Sequence, residues 1–542
     1  MKMASKYKVE YIQVNINVGD CEIILLLEEK GGKDTIKYSV LVDGGEGHGI
    51  PTANIQQVFK KIGTKYRTFF RLDAIVITHW DKDHYGGILK LLVQAWNDKA
   101  LNLTSFMKYE NGKPQTRLYI PYKRGNIDSD DLKAVWTDDH QFGFKKDKKD
   151  KKGKKTGEEK LFVCEYLADT PGMRKNQLEQ EPVAWDFDQN KSELIGRNLF
   201  TDVRPNTLDQ VNTANPTALV GAHGAKMPGL YCVAVNNQFL GVGTGSAGGD
   251  ENNKNRSSIV CMIIHPDGTV SHYLAGDAHQ ELEAKVIEWT GFTTLSQPIS
   301  KVDDKDRIAI VKASHHGSFT ATPIEMCQTY KPKYFVFSAG NKHRHPMWEV
   351  LLYVCSYYRS LGKNISPKID GRDGILMTSF PYWMRSDVQH FLPPEDPQPR
   401  VERYRKTIED FFRKEPQYVR ELYEWVMKAK DKADEIRDAK KSRDMAKEDS
   451  AKKEKDKIEE QIRTVFGPIL KNRSPISKDN YVFPGEGGKM ISHVSYISFL
   501  LDGPEPVEVK RIGPGFKSLP TKRSLSATPG PSGSSAPKKL KT

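Results

Sequence analysis

The chain has 542 residues, enough for one large domain with appendages or for two or three domains. No stretch approaches the roughly 20 apolar residues that cross a bilayer, and Met1-Lys-Met-Ala-Ser-Lys-Tyr-Lys lacks the apolar core of an export leader. Neither a membrane span nor a leader is expected, and the expectation is a soluble intracellular protein. The net charge of +13 lies in a few segments, and six scattered cysteines with no CxxC pair exclude a disulfide framework and read as reduced residues.

Residues 11–17, 21–27 and 37–42 read as strands from their apolar patterns. The third ends at Asp43-Gly44-Gly45, which by itself is an ordinary hairpin turn. Residues 53–62 read as a helix. Ile75-Val-Ile-Thr then runs as a buried strand into His79-Trp-Asp-Lys-Asp-His84-Tyr-Gly-Gly87, read as a loop, with a helix from 88 onward. His79, Asp81, Asp83 and His84 sit within six residues. A loop need not follow strand alternation, so several of them can face one pocket. Two imidazoles and two carboxylates suit Zn²⁺ or a similar divalent ion; alone, the stretch also reads as a solvated polar loop.

Residues 141–160 form a basic insertion whose stretch 145–160 is low-complexity, read as a solvated loop that would also suit a phosphate backbone. Further strands are expected at 161–166, 231–235, 259–264 and 270–275. Gly243-Thr-Gly-Ser-Ala-Gly248 matches GxGxxG, but no helix pattern follows it, which rejects a dinucleotide site. Asn255 lies in the polar run before the strand at 259. Three later apolar runs each end in metal-capable side chains: Gly276-Asp277, Ser314-His315-His316-Gly317, and Asn341-Lys-His-Arg-His345-Pro346. Residues 393–472 are charged with apolar positions at helical spacing, and 473–511 form a small segment with one strand expected at 494–501. The tail 512–542 reads as disordered, and its Lys522-Arg523 and Lys538-Lys-Leu-Lys541 read as a nuclear-import signal.

The run from Thr78 to Gly87 resembles the His-x-His-x-Asp-His signature of the metallo-β-lactamase superfamily, with Asp81 in place of the second histidine. It is similar in particular to the metallo-hydrolase domain of bacterial competence proteins used in DNA uptake. Asp43 resembles the first superfamily motif, and Gly276-Asp277, His-His-Gly-Ser and Asn-x-x-x-His-Pro resemble the later ones in the family's order, while a Gly-x-Gly-Asp element is reduced to Gly19-Asp20.

The resemblance implies an α/β fold, the four-layer αββα sandwich, over residues 8–392. It implies two zinc ions per chain. One is held by His79 and Asp81, with Asn255 as a third-motif ligand; the other is held by Asp83, His84 and one of His315 or His316. Asp277 lies between them, and Asp43 and Asn341 support the ligands. The oxygen donors Asp81 and Asn255 make Mn²⁺ the alternative. Asp83 orients a metal-activated hydroxide, and His316 or His345 steadies developing charge or protonates the leaving group.

The expected activity is hydrolysis of phosphodiesters by a nuclease or phosphodiesterase, with nucleic acid as a partner. The alternatives are a small-molecule ester, lactone or lactam hydrolase, and a metal-poor binding protein. The sequence does not choose an oligomeric state.

Overall fold

The computed structural model describes residues 6–16, 18–46, 49–97, 106–111, 113–121, 135–138, 141–149, 155–168, 194–205, 215–241, 254–292, 307–318, 320–338, 345–346, 374–378, 438–471 and 496–512, with isolated positions between 350 and 436. The chain opens with three antiparallel strands, β1 (Tyr7–Val14), β2 (Glu22–Lys30) and β3 (Lys33–Val42), followed by α1 (Gly49–Tyr66), β4 (Ala74–Val76) and α2 (Lys82–Asn97). Short strands β5 (Tyr109–Glu110) and β6 (Lys113–Pro114) pair with each other, and β7 (Arg117–Ile120), β8 (Val135–Asp138), β9 (Gln141–Lys149) and β10 (Lys155–Ala168) extend the sheet.

The second half contains α3 (Pro216–Ala222), β11 (Gly229–Val235), β12 (Gln238–Phe239), β13 (Val260–Ile264), β14 (Val270–Leu274), α4 (Gln280–Thr290), β15 (Ile310–Lys312), α5 (Ile324–Tyr330), β16 (Tyr334–Phe337), β17 (Gly374–Met377) and α6 (Met445–Lys471). The hairpin β18 (Tyr496–Asp502) and β19 (Glu505–Ile512) closes the described chain. The result is an α/β fold with two mixed sheets. The ten-stranded one runs β19-β18-β1-β2-β3-β4-β7-β10-β9-β8, and the seven-stranded one runs β12-β11-β13-β14-β15-β16-β17.

The continuous apolar runs have a simple reason. Alternate residues of a strand leave on opposite faces, and the first sheet is covered on both. Val9, Tyr11, Ile24, Leu26, Val40, Val42, Ala74 and Val76 enter a core shared with β11, β13, β14, β15 and β16. Their neighbours Ile12, Ile23, Leu25, Leu41 and Ile75 pack with Ile55, Val58, Ile88 and Leu91 of α1 and α2. A strand buried on both faces has no polar alternation to show.

In the first sheet β3, β4 and β7 run parallel, as do β14, β15, β16 and β17 in the second. Each metal-capable cluster except Asn255 follows the C-terminal end of one of these strands, the usual place for a site on such a sheet.

Three expectations change. The helix expected from 88 begins at Lys82, so Asp83 and His84 belong to its first turn. The basic stretch within 141–160 is carried on paired strands β9 and β10, with Leu161 opposite Phe144 and Lys160 opposite Lys145. The segment 473–511, expected to hold one strand, carries the hairpin of β18 and β19, and β18 lies along β1 with Phe499 opposite Tyr11.

Within the charged region, α6 is helical and Ile458 is partly buried against the shared core. Cys21, Cys232, Cys261 and Cys327 are buried thiols. The GxGxxG run, Asn341 and the tail beyond 512 lie outside the described residues. Among the described residues no helix is long and apolar enough to cross a membrane.

Candidate metal centre

The centre is built first from the end of β3. Asp43 is fully buried, adopts a φ of 54°, and donates its N–H to Val76 O at 2.8 Å. Its carboxylate accepts from Thr78 N (2.8 Å) and Thr78 Oγ1 (2.6 Å) and faces His84 Nδ1 at 2.7 Å. Both oxygens are thereby engaged. The contact engages Nδ1 of His84 and turns Nε2 toward Asp277 Oδ1, the arrangement of a carboxylate behind a histidine that could hold a metal.

Helix α2 sits unusually close to this turn, because a Cβ on Gly87 would come within 1.8 Å of Gly44 O. Gly87 N donates to Gly45 O and Gly44 N to His84 O, both at 2.7 Å. On the other side Gly19, with φ +98°, lies against Asp83, whose carbonyl oxygen a Cβ would meet at 1.7 Å. Glycines that read as a loop in sequence are therefore close-approach positions that fix where Asp83 and His84 stand.

The second sheet supplies Asp277, His315 and His316. Asp277 follows β14 and donates its N–H to Ser258 Oγ at 3.2 Å. His315 N donates to Gly276 O at 2.8 Å, which ties the two turns together. His315 and His316 both adopt left-handed backbone, with φ 47° and 53°. Such residues cost about 1–3 kcal/mol each and persist only where their surroundings over-determine them. Here Glu283 does so. It accepts from Ser314 Oγ, from Tyr273 Oη at 2.9 Å and from Thr322 N at 2.6 Å, and Thr322 Oγ1 donates to Ser314 O at 3.0 Å.

The two oxygens of Asp277 divide the ligand set. Oδ2 lies 3.6 Å from His79 Nε2 and 3.5 Å from His315 Nε2, and His79 Nε2 is 3.5 Å from Asp81 Oδ2. Oδ1 lies 3.2 Å from His84 Nε2 and 3.7 Å from His316 Nε2, and His316 Nε2 is 3.3 Å from Asp83 Oδ2. His79 Nε2, His84 Nε2, His316 Nε2 and Asp277 Oδ1 are all buried, yet none makes a hydrogen bond among the described residues. Four buried polar atoms left so, gathered about the Asp277 carboxylate, fit divalent cations with nitrogen and oxygen donors. The sets His79, His84, Asp277 and Asp83, His84, His316 each bring their ligand atoms within 4.8 Å of one another.

The other predicted residues take outer places. Asn255 Nδ2 is 3.5 Å from His315 Nδ1, on the far side of that ring from Asp277. The ring of buried His345 lies 5.2 Å from that of His315 and 5.8 Å from that of His316, centre to centre.

Asp20, Lys312 and Ser338 were missed as site residues. Asp20 is buried, faces His316 Nδ1 at 3.1 Å, accepts from Ser338 Oγ and pairs with Lys312 Nζ. It serves His316 as Asp43 serves His84. The surviving Gly19-Asp20 dipeptide was the sequence signal for it.

Charge balance follows from this crowding. Burial works to raise the Asp277 carboxyl, but four imidazoles, His84 foremost, hold it well below the usual carboxylate range. Burial works to lower His84, and the carboxylates of Asp277 and Asp43 outweigh it and raise it well above an ordinary histidine. Asp83 is held low by His316 and then His84, against its own burial. His315 is pushed down to about 4, by burial first and against the pull of Asp277. The comparisons with known proteins add nothing to these geometric arguments, since no family model, no curated protein and no solved structure matches the chain.

Proposed function

We propose that the chain is a metal-dependent hydrolase of the metallo-β-lactamase type, with its two sheets and flanking helices arranged as the αββα sandwich of that superfamily. The observation that carries the reading is the convergence of His79, His84 and His316 on the two-sided carboxylate of Asp277, with their inward atoms unsatisfied. His79, His315 and Asp81 would hold one ion on the Oδ2 side, and His84, His316 and Asp83 a second on the Oδ1 side. Zinc is the metal that this donor set suits best, and manganese the alternative. Asn255 is assigned to steadying the His315 ring.

A divalent pair in such a site supplies Lewis acidity and brings the pKa of water toward about 7. The protein's own part is to hold that water against Asp83 and to exclude bulk solvent with buried walls. His345, beside both His315 and His316, is placed to give a proton to a leaving oxygen. A phosphodiester, nucleic acid included, is the substrate class favoured by the basic chain and by the resemblance to DNA-uptake hydrolases.

The test is purified chain with Zn²⁺ or Mn²⁺, presented with single-stranded DNA, bis-p-nitrophenyl phosphate and a chromogenic lactam. The phosphodiesters should be cleaved, and Asp277→Ala should abolish cleavage and lower bound metal. Cleavage of the lactam alone would reverse the substrate assignment. A wild-type chain that takes up no metal would leave a binding protein.

A further inference from the structure

Arg256 lies on a single 3-10 turn, Lys254–Ser257, just before β13. It is only 6 % exposed, yet its Nε and Nη1 have no hydrogen-bond partner among the described residues. Among the described residues its ionic neighbour is Glu281 Oε2, 3.7 Å from Nη2 and beyond hydrogen-bond reach. A buried cation left in this state costs stability. A guanidinium is also a rigid fork of five donors shaped for the oxygens of a phosphate or carboxylate.

The turn is fastened to the metal centre on both sides of Arg256. Asn255 Nδ2 reaches His315 Nδ1 at 3.5 Å, Ser258 Oγ accepts from Asp277 N at 3.2 Å, and Ile259 N donates to Thr78 O at 2.9 Å. Glu281 belongs to the first turn of α4, the helix that follows Asp277. The guanidinium thus lies beside the helix that leads out of the ligand cluster.

We propose that Arg256 receives a phosphate oxygen of the substrate at this centre, an inference that rests on the metal-hydrolase reading and narrows its substrate to a phosphate ester. A neutral lactam or ester offers no charge to satisfy the buried fork, whereas a phosphodiester brings an anionic pair of oxygens that do. The residue binds and orients; it takes no proton and forms no bond.

The test compares wild type, Arg256→Gln and Arg256→Lys. Zinc content is measured by elemental analysis, and affinity for inorganic phosphate by calorimetry. Both variants should keep the wild-type zinc content. Phosphate affinity should fall at least tenfold in Arg256→Gln and partly recover in Arg256→Lys, which keeps the charge and loses the fork. KM for bis-p-nitrophenyl phosphate should rise in step, with a smaller change in kcat. Equal phosphate affinity in wild type and Arg256→Gln, or binding by neither, overturns the assignment. Loss of zinc from both variants also overturns it, since Arg256 would then be holding the fold. A wild-type chain without zinc refutes the hydrolase reading separately, and the tenfold criterion is then applied to the metal-free chain.

Discussion

His84 reaches the centre with Nε2 because Asp43 occupies Nδ1, and His316 does so because Asp20 occupies its Nδ1. Replacing Asp43 with Asn leaves one acceptor where three donors now converge, Thr78 N, Thr78 Oγ1 and the His84 ring. Supports of this kind are worth about 10–100-fold in metal affinity. Asp43→Asn should therefore weaken zinc binding by that order in a chelator competition, and unchanged affinity would deny Asp43 this role. The two supports differed in how readable they were. Asp43 stands at the end of an obvious strand, while the partners that explain Asp20, Lys312 and Ser338, lie 292 and 318 residues away. Such a pairing is a property of the fold, invisible in any local window.

At the scale of elements, the turn carrying His315 and His316 depends on Glu283 of α4. Burial pushes the Glu283 carboxyl up to about 7, against the donors Ser314, Thr322 N–H and Tyr273. Its folded pKa thus lies above the ordinary 4.5. The folded chain holds a proton that the unfolded chain gives up, so the stabilisation is complete below pH 4.5 and is lost as pH rises through 7. The shift corresponds to roughly 3 kcal/mol. In Glu283→Gln this titration is gone. The stability difference, variant minus wild type, should rise by about that amount between pH 4.5 and 8 in denaturant titrations. A flat difference would show that Glu283 is already ionised in the fold.

Elements were legible where pattern and packing agree, as in β2, β3, β13 and the strand entering His79. They were misread where tertiary contact overrides local preference. Gly86 and Gly87 look like a break, yet α2 runs through them because only a bare backbone can approach Gly44 so closely. The lysine-rich stretch looks like coil, yet β10 pairs with β7 on one edge and with β9 on the other.

At the scale of the whole molecule, the two sheets share one core, and the chain's late hairpin is part of it. Phe499 is fully buried, with its ring 5.9 Å from Tyr11 of the first sheet and 5.3 Å from Tyr334 of the second. Truncating an aromatic at such a position costs about 3–5 kcal/mol. Phe499→Ala should lower the chemical denaturation midpoint by a corresponding amount in a single transition. A midpoint equal to wild type would mean that the hairpin is an appendage.

The pairing of β18 with β1 also has a consequence for synthesis. Ser498 and Glu10, joined by a hydrogen bond, are separated by 488 residues. At ~5–20 residues per second a ribosome needs roughly half a minute to a minute and a half to bridge that interval. For all of it, one flank of the nascent N-terminal strands waits open, a sticky margin that a chaperone has time to occupy.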